Sequence, residues 1–237
     1  MKSNTNNNQQ SRKVVIFDVD GTIFRSSLII EFLEELIKGG FLEKNIVNEY
    51  NKEYLEWINR KGSYENYIEA LVNAFMKNIK GMYYGDFADV AERVIAEQKH
   101  RVYKYTRDLV HDLKNKNYFL LAISQSPKTI LEGFCKNLGF DKVYGRIYEL
   151  GPEDRFTGKM VGLHLIANKA NIVHRALEKE NLTLKGSIGV GDTEDDISFL
   201  ELVEVPICFN PNTTLHKYAK RMGWKVVVER KDVIYEI

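Results

Sequence analysis

The chain has 237 residues, 44% of them hydrophobic, and its 34 basic and 33 acidic side chains leave a net charge of +1. That is enough apolar material for a core domain with a smaller insert, and so balanced a charge provides no field to draw in nucleic acid or an anionic membrane. Two cysteines, Cys135 and Cys208, lack metal-ligand spacing, and no apolar run approaches the ~18 residues of a bilayer span, so a reduced, cytoplasmic protein is expected.

Residues 1–12 begin in an Asn- and Gln-rich stretch and read as a disordered tail. Val14-Val15-Ile16-Phe17 has the unbroken apolar character of a buried parallel strand, and Asp18 and Asp20 follow where it ends. Alternate strand residues face one way, which predicts that both carboxylates converge on one spot at the carboxyl edge of a sheet. From about 26 to 116 the pattern is helical. A first helix over 28–37 stops at Gly39-Gly40, and a second carries Ile46 to Ile58. A third is capped by Ser63, and a fourth runs from about Asp86 to Asn115. This block is too long for a crossover and reads as an inserted helical cap, 26–111, between core segments 13–25 and 112–237.

The second half changes character. Tyr118 to Ile123 is a buried strand, followed by Ser124-Gln125-Ser126-Pro127 and a helix to about Leu138. Pro127 suits the first helical position, with Ser126 as its cap. Residues 141–163 alternate strand-like segments and turns, and Lys169 opens an amphipathic helix. A strand over Ser187 to Val190 runs into Gly191-Asp192-Thr193-Glu194-Asp195-Asp196. A short helix, a strand over Val205 to Phe209, a helix and a strand over Lys225 to Val228 complete the pattern. Strands alternating with helices predict an α/β fold, a Rossmann-like parallel sheet covered on both faces.

Two acids at one strand end suit a catalyst, one as nucleophile and one as proton carrier, with a cation between them. The ordered set Asp18-Val19-Asp20-Gly21-Thr22, Ser124 after a strand, Lys169, and Gly191-Asp192 with Asp196 resembles the haloacid dehalogenase superfamily of phosphohydrolases. The resemblance covers nearly the whole chain from Lys13, with the insert similar to a type 1 cap. The stretches Tyr148 to Gly158 and Phe209 to Leu215 are similar to the phosphoserine-phosphatase-like branch.

The resemblance implies Asp18 as nucleophile, forming an aspartyl-phosphate, and Asp20 as the acid and then the base. It implies Ser124, Gln125 and Lys169 around the phosphate, although Lys159 and Lys185 also lie in range of the lysine's role. Mg²⁺ would be held by Asp18, Asp192 and the Asp20 backbone carbonyl, with Asp196 behind them. The implied activity is hydrolysis of a small phosphorylated metabolite. A phosphotransferase or mutase would use the same two acids, and an idle regulatory protein on this fold is a reading from another class. Arg25 is a candidate for a substrate carboxylate or second phosphate, as are Arg60, Lys61 and Tyr64 at a turn of the insert. Gln125 and Asp195 stand where phosphoserine phosphatases carry Gly and Asn, which argues against phosphoserine itself.

Overall fold

Strand β1 (Arg12–Phe17) is fully buried from Val14 onward, which accounts for its apolar run in place of an alternating one. Strands β2 (Phe119–Pro127), β3 (Lys142–Leu150), β4 (Phe156–Val161), β5 (Leu182–Gly191), β6 (Val205–Phe209), β7 (Lys225–Arg230) and β8 (Val233–Glu236) join it. In this computed structural model, which describes residues 11–162 and 168–237, they form one sheet ordered β4-β3-β2-β1-β5-β6-β7-β8. The central pairings are parallel; β3 with β4 and β7 with β8 are antiparallel. The expected tail, 1–12, lies outside the described residues except for 11 and 12, and Arg12 already belongs to β1.

The period of two along β1 sorts its side chains onto two cores. Val14 and Ile16 pack with Ile172, Val173 and Ala176 of α7 (Lys169–Glu180) and with Phe199 and Leu200 of α8 (Ile197–Leu200). Leu215 and Ala219 of α9 (Thr213–Met222) complete that face. Val15 and Phe17 face the other way, onto α5 (Lys104–Asn115), α6 (Lys128–Leu138) and the insert.

The insert contains α1 (Leu28–Lys38), α2 (Asn51–Ile58), α3 (Tyr64–Asn78) and α4 (Tyr84–Gln98). Phe32, Phe75 and Phe87 meet at its centre, with Phe32 and Phe87 ring centroids 4.5 Å apart at 76°. Ser63 caps α3 by accepting from Asn66 N at 3.1 Å, as its position implied.

Elsewhere the elements differ from the sequence pattern. The helix expected over Asp86 to Asn115 is two, α4 and α5, because the chain between them returns to the core. Phe24 bridges Val102 antiparallel, Arg25 N donates to Arg101 O, and Tyr103 N donates to Ile23 O. The stretch from Ile46 to Ile58 is a 3₁₀ turn over Lys44–Glu49, then α2, broken at Tyr50 where ψ is −1°. Strand β8 was not foreseen; all four of its residues are exposed, so burial left no pattern to read.

The first N–H groups of α5 find their acceptor on β7. Lys104 N and Tyr105 N donate to the Glu229 carboxylate at 3.1 and 2.8 Å, and Thr106 Oγ1 donates to Thr22 O at 2.9 Å. We therefore propose that the core resumes at α5. Among the described residues no helix is long and apolar enough to cross a membrane.

Candidate active site

The order of the sheet brings three carboxyl ends together. β1 lies between β2 and β5, so the chain leaves it toward opposite sides at a switch point, where open α/β sheets form their crevice. Asp18 N donates to Val190 O at 2.9 Å, carrying the β1–β5 ladder up to the acid and fixing where its side chain starts.

Lys169, first residue of α7, reaches back to this edge. Its Nζ lies 2.6 Å from Asp18 Oδ1 and 2.5 Å from Asp196 Oδ1, and all three residues are buried. Asp196 Oδ2 accepts from Asp192 N at 2.9 Å and Thr193 N at 3.1 Å. Both its oxygens are thus spent on holding the Asp192 loop and Lys169 in place. Asp192 Oδ1 accepts from the Thr22 hydroxyl at 3.2 Å, and Asp18 Oδ2 is buried with no hydrogen-bond partner.

These charges strain one another. Burial pushes the Asp18 carboxyl up to about 8, with Asp196 and Asp20 adding to the rise and Lys169 opposing it. Burial and the charges of Asp18 and Asp196 also hold Asp192 well above the ordinary carboxylate range. Burial alone would favour a neutral Lys169; its two carboxylate partners outweigh that and keep the ammonium charged.

The donor set fits a hard divalent cation. Oxygens of Asp18, Asp192 and Asp196 lie within 4.8 Å of one another, all are carboxylate, and the orphaned Asp18 Oδ2 is among the buried atoms there. Since Asp196 is already engaged, Asp18 and Asp192 are the residues with oxygen to offer. Glycine is required at two places around them. Gly21 has φ +83° and a Cβ there would run into the Asp192 carboxylate, while a Cβ on Gly191 would strike the Asp196 carboxyl.

Asp20 shares the cavity with Asp18 but not its partners. Its Oδ1 accepts from Leu28 N at 2.5 Å, tying down the start of α1. Its Oδ2 accepts from the hydroxyls of Ser124 and, at 2.8 Å, Ser126. The two carboxylates line one cavity but take different partners there, one Lys169 and the other the serines. Ser124 also accepts from Ser126 N at 2.9 Å, so its hydroxyl is aimed at Asp20. Ser126 is not the helix cap its position suggested. Pro127 occupies that place, α6 begins at Lys128, and the Ser126 hydroxyl joins the site while accepting from Ile29 N.

Above these groups is a cavity of about 510 Å³, within the size range of small-ligand sites. Gln125 lies in its wall, donating to Asp195 Oδ2 at 2.8 Å and accepting from Arg146 Nη2. Arg146 is largely buried, with the Tyr148 hydroxyl beside its guanidinium. The sequence reading missed Arg146, because a lone Arg in a strand near the sheet edge looks like a solvated one. It also missed Glu65 and Glu194, which look like surface acids. Of the specificity candidates, Tyr64 lines the cavity. Arg25 is exposed, with its guanidinium 5.1 Å from the Tyr103 ring centroid, and does not line it; Arg60 and Lys61 are exposed at a turn.

Known proteins match both the pattern and the shape. A histidinol-phosphatase of Neisseria meningitidis is 24% identical over 224 residues, 91% of this chain and 98% of that one. A solved structure of a Bordetella pertussis protein with unknown function superposes with a TM-score of 0.71 at 19% identity, over 91% of this chain and 98% of the other. A phospho-aspartyl intermediate analogue of a phosphoserine phosphatase does so with a TM-score of 0.63 at 19% identity, over 94% and 96%. The profile of the haloacid dehalogenase-like hydrolases matches residues 15–201, most of the chain and every acid and lysine of the cluster above; the protein belongs to that family.

Proposed function

We propose that the protein hydrolyses phosphomonoesters of small metabolites through an aspartyl-phosphate on Asp18, with Mg²⁺. Asp18 carries this reading: it is buried at the cavity floor, with one oxygen gripped by Lys169 and the other unpartnered. A group so placed gains nothing structurally, since an orphaned buried carboxylate oxygen costs stability. The phosphatase names of the Neisseria relative and the solved neighbour support the same chemistry.

In this reading a bond forms between an Asp18 oxygen and phosphorus as the bond to the leaving oxygen breaks. Asp20, oriented by Ser124, Ser126 and Leu28 N, gives that oxygen its proton and then takes one from the water that cleaves the aspartyl-phosphate. The Lys169 ammonium offsets charge on the phosphoryl oxygens, and Gln125 in the cavity wall has a second amide N–H to donate to them. Asp18, Asp192 and the Asp20 carbonyl would hold Mg²⁺, which supplies charge neutralisation where the carboxylates would otherwise repel a phosphate. The cytoplasm is the proposed compartment, supported by Cys135 and Cys208, which are buried and unpaired.

Hydrolysis of para-nitrophenyl phosphate tests the reading. Turnover with Mg²⁺, lost on chelation with EDTA and in Asp18→Asn, is expected; purified protein inactive under Mg²⁺ sinks it.

A further inference from the structure

We propose that the phosphoester cleaved here carries a cationic amine and no carboxylate on its leaving group, an inference that rests on the phosphatase reading above. The cavity and the buried, unpartnered Asp18 Oδ2 mark where a ligand sits; the remaining wall says what lies beyond its phosphoryl group. Helix α3 supplies much of that wall. Its residues Tyr64, Glu65, Ile68, Glu69 and Val72 recur at three- and four-residue spacing on one face, so the insert offers the ligand acids, apolar groups and a phenol, with no cation.

Glu65 does not act alone. Asn212 Nδ2 donates to Glu65 Oε1 at 2.9 Å and also to Glu194, which comes from the core loop after β5. Two carboxylates, one from the insert and one from the core, thus converge on one neutral amide. Neither makes an ion pair among the described residues. Two carboxylates at one wall make that side of the cavity anionic, and a cationic group on the ligand is complementary to it. An ammonium fills that role, with charge-assisted hydrogen bonds to the oxygens that face the cavity.

Among the described residues Arg146 is the wall's other cation besides Lys169, and it belongs to the opposite end. It is tied to Gln125, itself tied to Asp195, and it feels the charges of Asp20 and Asp195. Its guanidinium is thus held at the Gln125 end of the cavity, and among the described residues no positive group lies beside the Glu65 and Glu194 end to receive a carboxylate on the leaving group. Ile68, Val72 and Met160 provide apolar contact for the carbon chain that joins amine to phosphate.

Binding separates this inference from the reading beneath it. With Mg²⁺ present, calorimetry on Asp18→Asn compares O-phosphoethanolamine, its neutral isostere n-propyl phosphate, and O-phosphoserine. The amine is expected to bind about tenfold tighter than either. In the wild-type protein kcat/KM should follow the same order, and Glu65→Gln and Glu194→Gln should each bring the amine-to-propyl ratio toward one. Equal binding of amine and isostere, a preference for O-phosphoserine, or binding of none of the three overturns the inference. Hydrolysis of para-nitrophenyl phosphate without amine preference would overturn it while leaving the phosphatase reading intact.

Discussion

Lys169 and Asp18, 151 positions apart in the chain, meet at 2.6 Å in a pocket that also buries Asp196. Removing the ammonium leaves the buried Asp196 carboxylate, and the Asp18 carboxyl beside it, without their cation. Lys169→Met is expected to abolish turnover and to cost about 3–5 kcal/mol of stability, the range for breaking a buried ion pair from one side. Urea denaturation and steady-state kinetics measure the two effects. A fully stable, inactive variant would limit the lysine to catalysis.

The raised Asp18 carboxyl makes the metal-free protein sensitive to alkali. An unfolded aspartate titrates near 4, whereas the folded one titrates at about 8. Between those values the native state holds a proton that the unfolded state has lost, so stability falls as pH rises through that window. Mg²⁺ replaces the proton as the neutralising charge. Thermal melts from pH 5 to 9 should show a Tm that declines without metal, and a gain on adding Mg²⁺ that grows with pH. A metal-induced gain independent of pH would contradict this coupling.

Gly21→Ala tests the close approach of backbone to carboxylate. The side chain would meet Asp192 at a residue with φ +83°. A loss of about 1–3 kcal/mol is expected from the backbone alone, together with about a tenfold weaker response to Mg²⁺ as Asp192 is displaced. Metal titrations followed by Tm would detect both.

If Asp20 donates the proton, its removal should matter in proportion to the leaving group. Asp20→Asn is expected to slow an alkyl phosphate about 10²–10⁴-fold and para-nitrophenyl phosphate far less, because nitrophenolate departs without help. Equal losses on both would reassign the residue to positioning.

The placement of the candidate site's acids and lysine at one sheet edge was largely legible in the sequence because each follows a strong local signal. Asp18 and Asp192 stand directly after buried strands, and Lys169 opens an amphipathic helix. What escaped were residues whose meaning depends on distant partners. Ser126 looked like a helix cap until the start of α1 and Asp20 were found on its hydroxyl. Arg146 and Glu194 carry no local mark at all; only the packing of β3 and the loop after β5 around one cavity gives them a role. The break between α4 and α5 was hidden for a related reason. Helical periodicity does not register that the chain has to come back beside Phe24.

The apolar core on one side of the sheet does not stop at the insert. Phe87 packs on Phe156 of β4 with centroids 4.8 Å apart, and Phe75 packs on Tyr148 of β3 at 5.5 Å. Lifting the helices off the sheet would expose that aromatic layer to water, at roughly 25 cal/mol for each Å² uncovered. Insert and sheet should then melt in a single cooperative calorimetric transition. Glu69 and Asn73 are exposed residues of the cavity wall on the insert, so bulk at those two positions is expected to slow exchange of substrate and product without touching the reacting atoms.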